Sequence, residues 1–594
     1  MNSKESMLSQ SSTFLENSEV EPRDLRTALS ADGHEEDKLI LRRKRSNVSE
    51  LSKIISGIRD DHEIDNSEYE AYKCPVVEET LLAQLDQVSK NITQNSGPQS
   101  LQEEASLPED EPSSDHPIDG GFAFWQAFLA MLVVFLTWGA NAAFGVFLNL
   151  YLHNQLFKSA TMYDFALMGG LVVALANILC PFTVIMVKIF GQTWVLIAGI
   201  VIQTVGYLLA AECKQFWQLF LCQGVMVGLS FALIFIPGTL VIPTWFDKHL
   251  ATAMGIAVSG AGLGGLVFSF ILNKIISITG DQKWALRAAG LINLVISVFA
   301  TIFMRVRNKK KLDYKETLSF EFLINALRVV FDVKIFKSYA LVLTALWFGI
   351  VLMGYVIILY SMAPYATSEG LTAKQSANVL AVLNALQVVG RPAIGRLGDF
   401  LGRNNTSLLI CCYAGILLLA FWLNAKDYVS IMVLAALVGA PAGVGSTMAQ
   451  SMGRDVLKFD GVPYKLPAAW SGMNIVVAFF ALPAEVIALK LKKGTTAGSY
   501  RNAQIFTACA FFFGAIILVV NREWLVRQTL KNRRQMFAAN LYAGRTSYLK
   551  SEDAEHKLTA EEVEALELRI KRYDRLLSMT PIYFIVRAFY PIRV

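Results

Sequence analysis

Charged residues are scarce in this sequence and unevenly placed. Asp, Glu, Lys and Arg make up only 17% of its 594 residues, against about 25% in soluble domains. They concentrate in residues 1–118, around 305–337 and after 521, while hydrophobic residues reach 54% of the whole chain. This scarcity excludes a set of ordinary soluble domains and favours one large membrane domain with polar tails.

Several kinds of chemical site are also missing from the sequence. Its seven cysteines lie mostly inside apolar runs, without a C-x-x-C pair or a Cys/His cluster, so neither a metal site nor a disulfide framework is indicated. There is no P-loop, no nucleophile constellation and no basic surface interleaved with aromatic residues. We therefore predict no metal, no cofactor, no enzymatic activity and no nucleic-acid partner.

What the sequence has instead is a series of long charge-free stretches. There are twelve, six on each side of a basic central segment, and most reach the roughly 20 residues that a bilayer-spanning helix requires. They cover residues 120–157, 165–187, 189–211, 215–246, 249–273, 288–304, 338–368, 375–390, 404–425, 428–453, 466–484 and 502–521. The predicted fold is an all-α membrane protein with twelve transmembrane helices in two six-helix halves.

These spans divide the chain into five predicted segments. They are a disordered acidic tail at 1–118, a first half at 119–304, a basic central loop at 305–337, a second half at 338–521 and a C-terminal tail at 522–594. Within the C-terminal tail, residues 559–577 begin with the capping-box pair Thr559 and Glu562 and repeat apolar residues at helical spacing. This segment predicts an amphipathic helix in the cytosol or on the membrane surface.

Basic residues in the short loops give the expected orientation. An even number of spans places both tails on one side, together with the basic run 305–311 and with Arg396 and Arg403. The loop from Lys490 to Arg501 argues the other way. Because Lys and Arg favour the cytosolic side on balance, both termini are predicted to be cytosolic. The expected location is the plasma membrane, with the vacuolar membrane as the alternative.

The N-terminal tail contains a basic run, Arg42-Arg43-Lys44-Arg45, directly before Ser46. The pattern fits a phosphorylation site, which would give the tail a kinase or trafficking partner. It fits an unmodified, solvated cluster of charges equally well.

A weak internal repeat relates the two halves. Pro181 and Gly191 align with Pro392 and Gly402 at one offset of 211 residues, at the same helix-to-loop junction of each half. Two parallel six-helix halves, related by an axis along the membrane normal, would give this pattern.

Residues 255–265, GIAVSGAGLGG, contain a G-x-G-x-x-G from Gly260 to Gly265, the spacing of a dinucleotide-binding turn. The residues before it lack strand character and no βαβ unit fits. Gly260 and Gly264, with alanines at every fourth position, instead predict close helix packing in lipid. The pattern fits two helices that pack statically and two helices that slide past each other during transport equally well.

The run from Trp245 to Gly260 resembles the fifth-helix signature of the monocarboxylate porter family of the major facilitator superfamily, approximately Y-F-x-K-R-R-x-L-A-x-G-x-A-x-A-G. Phe246, Lys248, Gly255 and Gly260 are among the matching residues, whereas His249 and Leu250 replace its two arginines. A second signature, which leads into the first helix, resembles Asp119-Gly120-Gly121 with the aromatic residues that follow. The acidic N-terminal tail and the phrase WGANAAFGVF (138–147) are most similar to the fungal branch, which includes a riboflavin importer.

A third motif, the superfamily's loop motif, resembles the run from Gly395 to Arg403, which includes Asp399 and Gly402. The resemblance implies that Asp399 holds neighbouring helix ends together until the cavity opens. The first-half copy has Lys188 in the place of Asp399, so control of opening would differ between the halves.

The resemblance implies a secondary transporter that works by rocker-switch alternating access. Its substrate would be a small organic solute, either a monocarboxylate-like organic acid or a vitamin such as riboflavin. The alternative is a non-transporting nutrient sensor of the same fold that signals through its cytosolic tails.

Candidate substrate-binding residues follow from the same resemblance. Arg391 corresponds to the helix-8 arginine that pairs with an anionic substrate. A purely structural role, in which Arg391 anchors the cytosolic end of the helix, agrees with the sequence equally well. Proton-coupled lactate-type members carry an aspartate four residues earlier and a lysine in helix 1, where this chain has Gln387 and Ala142. The neutral polar candidates that replace them in the cavity are Asn141, Asn384, Gln387 and Asn474, with Trp138 as a stacking surface. An interhelical hydrogen bond fits each amide at least as well as a contact with the substrate. Glu485, an acid inside a span, is the candidate residue for carrying a coupling proton. In the alternative interpretation, its side chain simply faces water or Lys490.

Overall fold

The computed structural model describes residues 116–153, 160–307, 320–494, 498–550 and 560–592. The predicted disordered tail up to residue 115, including Ser46, lies outside these residues, as does Thr559 of the predicted capping box. Every regular element in the described ranges is a helix.

Twelve helices in the described part of the chain are long and apolar enough to cross a membrane, when a pair bent by 47° counts as one span. The predicted all-α membrane fold is therefore confirmed. We number the spans α1 to α12. They are α1 Gly121–Phe147, α2 Met162–Ile178 with Cys180–Phe190, α3 Gln192–Ala210, α4 Phe216–Trp245, α5 Leu250–Thr279, α6 Gln282–Phe303, α7 Tyr339–Ser368, α8 Ala373–Leu401, α9 Arg403–Trp422, α10 Tyr428–Phe459, α11 Pro463–Leu491 and α12 Arg501–Ala539.

The two ends of this helix bundle are distinguished by the connections between spans. We call the end at which α1 begins the terminal side, because α12 also leaves the bundle there, and the opposite end the distal side. Gly191 and Gly402 end α2 and α8 on the terminal side with φ of 82° and 97°. Because this backbone conformation is easily adopted only by glycine, the repeat at an offset of 211 residues marks two equivalent tight connections.

Three further α-helices and the 3-10 helix Val333–Lys337 lie outside the spans in the described part of the chain. A helix at Phe320–Val330 occupies part of the segment predicted as a central loop. The helix of α12 continues to Lys550, so the predicted boundary between residues 521 and 522 falls inside it. Charged residues such as Arg and Glu are good helix formers, and a helix leaving the membrane need not end where its charges begin. The first tail helix spans Ala560–Leu576 and the second tail helix spans Pro581–Ala588.

Within the first half, α5 packs backbone against backbone on α1. A Cβ placed on Gly260 would overlap the carbonyl oxygen of Met131 and lie 2.8 Å from the nitrogen of Phe135. On Gly264 it would lie 2.6 Å from the Cα of Gly139. This is the close approach predicted from the small residues, since packing contacts drive helix association in lipid.

A second face of α5 packs across the two halves against α8. A Cβ on Gly262 would lie 2.8 Å from the Cβ of Gln387, and one on Gly255 would lie 3.0 Å from the Cα of Pro392. On Gly395 of α8 it would overlap the carbonyl oxygen of Ala251. The glycines of α5 therefore serve two contacts, one inside its own half and one between the halves.

The helical hydrogen bonding of α1 changes where α5 approaches. Residues Phe135–Gly139 form a π-helical segment inside the span, an arrangement that is frequent at functional sites. Trp138 belongs to this segment, and Asn141 is the second residue after it. Two of the predicted substrate-binding residues are thus displayed from an irregular part of α1.

Candidate functional site

A cavity lies between the two halves, lined by α1, α2, α4 and α5 on one side and by α7, α8, α10 and α11 on the other. Aromatic rings make up much of its wall: Trp138, Phe235, Phe348, Tyr355, Tyr360 and Trp470. Five other polar or charged residues also line it: Asn141, Asn177, Arg391, Ser446 and Asn474. Arg391 is the one charged residue in the lining that the structure describes.

The predicted substrate-binding residues divide into two groups. Trp138, Asn141, Arg391 and Asn474 line the cavity, although they come from three different spans. Gln387 and Asn384 are also buried, but both lie behind Arg391 on α8 and outside the lining. We therefore assign them as supporting residues of Arg391.

The guanidinium of Arg391 is buried, with 2% of the residue exposed. It donates hydrogen bonds to the carbonyl oxygen of Val258 on α5, to the Tyr355 hydroxyl at 3.0 Å and to Oε1 of Gln387 at 2.6 Å. Its Nε has no hydrogen-bond partner. All three acceptors are neutral, so hydrogen bonds satisfy much of the guanidinium while its positive charge stays uncompensated.

Gln387 stands where the resemblance implies an aspartate in lactate-type transporters. Its Oε1 also accepts a hydrogen bond from the Tyr355 hydroxyl at 3.0 Å, and its Nε2 donates to Oδ1 of Asn384 at 3.2 Å. The Arg391 guanidinium lies 5.4 Å from the centroid of the Tyr355 ring. An amide at position 387 keeps the hydrogen bond to Arg391 without adding the negative charge of a carboxylate.

Two contacts bring polar groups of the cavity wall together. Nδ2 of Asn141 on α1 donates to the hydroxyl of Tyr360 on α7 at 2.8 Å, which joins the two halves. Nδ2 of Asn474 donates to the carbonyl oxygen of Trp470 in its own helix. Oδ1 of Asn474 and Nε1 of Trp470 are buried without a partner. Because buried polar atoms normally find partners, these two are available to a bound solute.

Glu485 lies outside the lining of the cavity, at a break in α11. The span is interrupted between Ala481 and Ala484, so Glu485 sits in the first turn of the segment that follows. Its partly buried carboxylate faces α2, where a Cβ on Gly169 would lie 3.5 Å from Oε2. It also interacts electrostatically with Tyr360 and Tyr500.

Lys490, the alternative partner considered for Glu485, lies over the ring of Tyr163 with its Nζ 5.5 Å from the centroid. The positive end of the helix dipole favours a carboxylate in the first turn of a helix. Glu485 therefore lies at the start of the second segment of α11, close enough to Tyr360 of the cavity wall to interact with it electrostatically.

On the terminal side, Asp399 joins the two halves. Its carboxylate accepts hydrogen bonds from the backbone N–H groups of Ala251 and Thr252 at 3.2 and 2.7 Å, and from the Thr252 hydroxyl at 2.7 Å. These groups lie in the first turn of α5, whose N–H groups lack partners within the helix. A carboxylate from α8 thus caps a helix of the other half.

Arg403 extends this contact into a network of ion pairs. It lies 3.1 Å from Asp399 and 2.7 Å from Asp455 of α10. Across the interface, Asp247 pairs with Arg454 at 3.1 Å and with Lys458 at 2.7 Å. We call these six residues the terminal latch.

The charges of the terminal latch change the pKa of Asp247. Burial alone would raise the pKa of this carboxyl group. The hydrogen bond from Lys458, together with the positive charges of Lys458, Arg454 and Arg403, outweighs burial and holds the pKa below its usual value. Asp247 therefore stays charged, and its ion pairs persist at neutral pH.

The residues of the two predicted signatures meet beside the latch. The Asp119 carboxylate accepts hydrogen bonds from the backbone N–H groups of Asp247, Lys248 and His249, at 3.1 to 3.3 Å. Phe246 is buried, with its ring centroid 5.1 Å from that of Phe124 on α1. The start of α1 is thus fixed to the connection between α4 and α5.

The two glycines of the signature that leads into α1 differ in their surroundings. A Cβ on Gly120 would lie 2.9 Å from Cγ of Pro117, whereas one on Gly121 would meet nothing within 4 Å. Only Gly120 is required by the local packing of the chain that enters α1.

Comparison with known proteins agrees with this architecture. Residues 127–481 match the model of the Major Facilitator Superfamily. The chain belongs to the major facilitator superfamily. In Saccharomyces cerevisiae, the uncharacterized transporter ESBP6 is 34% identical over 480 residues, which cover 80% of this chain and 70% of the relative.

Two other relatives of this major facilitator are similar over most of their length. The probable transporter MCH2 of Saccharomyces cerevisiae is 30% identical over 426 residues, 72% of this chain and 86% of the relative. The MFS transporter asaE of Aspergillus flavus is 24% identical over 417 residues, 70% of this chain and 90% of the relative. The chain is therefore a multi-span membrane transporter of the major facilitator type and not an enzyme.

Several residues of this major facilitator's site were not predicted from the sequence. Tyr355 and Tyr360 lie within the uninterrupted apolar run of α7, where an aromatic residue gives no signal of its orientation. Arg454 and Asp455 could have been noticed, because they are charged residues directly after the charge-free stretch 428–453. Arg454 pairs with Asp247, about 200 residues earlier, and Asp455 pairs with Arg403, so the ion pairs themselves are a product of the fold.

Proposed function

We propose that this major facilitator carries a small organic solute with a carboxylate or a similar weakly anionic group, by rocker-switch alternating access. The observation that carries the proposal is the buried guanidinium of Arg391, which lines the cavity and has only neutral acceptors. A buried charge without a counter-charge is costly. A bound anion would supply that counter-charge, and the planar guanidinium suits a carboxylate.

The rest of the cavity wall restricts the solute further. Trp138 packs edge-to-face on Phe235, with ring centroids 5.4 Å apart, and Phe348 stacks on Trp470 at 5.8 Å. Such rings offer apolar and stacking surface to a planar or aliphatic body. Nε1 of Trp470 and Oδ1 of Asn474 add one donor and one acceptor. These groups favour an organic anion with a hydrogen-bonding body over a bare inorganic ion, in keeping with the monocarboxylate porter resemblance.

The first prediction concerns Arg391. Arg391→Ala is expected to reduce carboxylate uptake by at least about tenfold, because hydrogen bonds to charged groups contribute about 1.5–3 kcal/mol. Arg391→Lys should restore only part of the rate, since lysine keeps the charge but not the planar fork. The measurement is initial uptake of radiolabelled lactate, pyruvate and benzoate, with riboflavin as a neutral comparison, into proteoliposomes.

Lys374→Ala is the matched control, because Lys374 is an exposed cation at the distal end of the same span. Thermal stability of each purified variant separates lost binding from misfolding. Equal uptake by wild type and Arg391→Ala, or uptake of riboflavin alone, would contradict the proposal. If no solute moves while deletion of the tails abolishes a cellular response, the sensor alternative is favoured.

We further propose that Glu485 carries the coupling proton. Its carboxylate lies at the contact of α2 with α11, beside Tyr360, which bonds to Asn141 of the cavity wall. An ionisable group inside a span that lies between the two halves is suited to a protonation change that accompanies their movement. The other titratable groups around this part of α11 are Tyr163, Tyr500, Lys490 and Lys492.

The second prediction concerns this coupling. Glu485→Gln is expected to abolish the extra accumulation that an imposed pH gradient drives, because an amide cannot take up a proton. Exchange of labelled for unlabelled solute at equal pH should continue, since it requires no net proton movement. Glu369→Gln is the control, because the amide oxygen can still accept the hydrogen bond from the Gly498 N–H. Gradient-driven accumulation that persists in Glu485→Gln would show that the proton is carried elsewhere.

We propose that the terminal side faces the cytosol, with both tails there. Arg305, Arg396 and Arg454 lie close to the ends of the spans on this side, and the distribution of basic residues in short loops supports the orientation. The plasma membrane is the proposed location, with the vacuolar membrane as the alternative. Epitope tags at either terminus, probed in intact and permeabilised cells, test the orientation.

A further inference from the structure

The second tail helix is fixed to the middle of α12 by a buried ion pair. Nε of Arg587 lies 2.6 Å from Oε1 of Glu523, and both residues are buried. The same guanidinium donates to the carbonyl oxygens of Leu576 and Ser578, which precede the second tail helix. Breaking a buried pair of this kind is strongly unfavourable, so this helix has a defined place on the protein.

The chain after this helix is held by Arg522. Its guanidinium donates to the carbonyl oxygens of Ala588 and Tyr590 and to Oδ1 of Asn405 at the start of α9. Nδ2 of Asn405 in turn donates to the carbonyl oxygen of Ile592 at 3.1 Å. Arg522 is the first charged residue after the charge-free stretch 502–521. The attachment therefore lies where α12 leaves the hydrocarbon of the bilayer.

The face of the second tail helix that does not contact the protein is apolar. Ile582 is 72% exposed, Ile585 59% and Phe589, directly after the helix, 72%. Met579, which precedes the helix, is 81% exposed, and its Sδ accepts a hydrogen bond from Arg527. Ile582, Ile585 and Phe589 follow one another at spacings of three and four residues, so they share one side of the helix. Arg587 and Ala588 are buried on the other side.

Exposed apolar and aromatic residues of the spans lie on the same side of the bundle as this helix. Phe400 and Leu401 at the end of α8 are exposed, and they lie only a few residues before Asn405, which holds the chain end. Exposed aromatic residues near the starts of α3 and α7, Trp194 and Tyr339, lie on the same side of the bundle. Such residues are enriched at the membrane interface.

We propose that residues 579–589 form an interfacial anchor, whose apolar face is inserted among the upper acyl chains of the leaflet on the terminal side. The occupant of this face is lipid. The buried Arg587–Glu523 pair sets the height of the anchor, and exposed side chains at helical spacing supply the apolar contact that an interfacial helix requires. The proposal does not depend on the transported solute.

Quenching by brominated lipid tests this anchor in the full-length protein, with one copy in each lipid nanodisc. Ile585→Cys and Phe589→Cys are labelled with bimane, and the unaltered chain is labelled in parallel to subtract its native cysteines. Lipids brominated near the top of the acyl chain should reduce the emission at both positions about twofold. Glu564→Cys on the exposed side of the first tail helix is the control and should keep its emission.

Emission at positions 585 and 589 that is insensitive to bromination would overturn the proposal. A blue-shifted emission that appears only with two copies in a disc would also overturn it, because a second copy would then cover the face. Two separate label positions guard against a single substitution that disturbs the helix. The result is independent of uptake measurements, so it stands whether or not Arg391 binds the solute.

Discussion

Asp399→Asn is expected to reduce transport by at least about tenfold and to open the terminal side. The carboxylate accepts three hydrogen bonds from the first turn of α5 and pairs with Arg403. An asparagine amide turned toward Thr252 would place a donor against a donor and would remove the charge. Since hydrogen bonds to a charged group contribute about 1.5–3 kcal/mol each, a loss of about 3 kcal/mol would shift a two-state equilibrium more than 100-fold.

Two measurements check the Asp399 prediction together. Initial uptake gives the rate, and a reporter cysteine at Ser446 in the cavity gives access to a membrane-impermeant maleimide from the terminal side. Asp460→Asn is the control, because Asp460 is an exposed acid on the same side. Normal transport with unchanged labelling at position 446 would show that the terminal latch does not hold the closed state.

Gly260→Ala is expected to prevent stable folding, and Gly260→Leu should be more severe. The added Cβ would overlap the carbonyl oxygen of Met131 and lie 2.8 Å from the nitrogen of Phe135, both of them backbone atoms. Backbone atoms of two packed spans cannot move aside as a side chain can. Overpacking costs about 1–3 kcal/mol and occasionally more, which exceeds the gain of about 1 kcal/mol in helix propensity from Gly to Ala. Yield and heat resistance in detergent, followed by size-exclusion chromatography, measure the loss.

Gly145→Ala is the matched control for this effect, because a Cβ there meets nothing within 4 Å. Gly262→Ala provides the informative contrast, since its Cβ would press on the carbonyl oxygen of Asn384 and on Cβ of Gln387, which both belong to the other half. This variant is expected to fold but to keep α5 and α8 apart, with reduced transport and increased labelling from the terminal side. A stable Gly260→Ala protein would refute the packing explanation. If Gly262→Ala misfolds as severely as Gly260→Ala, the α5–α8 contact is required for folding and does not open during transport.

Charge and hydropathy alone were enough to predict the spans. Hydrocarbon excludes uncompensated charge, so the twelve charge-free stretches had to become the membrane helices. The helix of α12 continues past Arg522, because a span can continue as a soluble helix without any signal in the sequence that the hydrocarbon ends. The second tail helix was also missed, because eight residues between Pro581 and Ala588 are too few to show a reliable period.

The sequence by itself determined that α5 approaches another helix closely, since Gly260 and Gly264 leave no side chains to keep two backbones apart. It also determined that Arg391 is a candidate, because a cation inside a span is costly. Only the tertiary structure decided the partners. It placed α1 against one face of α5 and α8 against the other, and it brought Tyr355 from α7 to Arg391 in place of an acid. The physical reason is that the type of a residue sets the free-energy cost of burying it. The contacts that offset this cost come from residues that are distant in sequence, and only the fold brings them together.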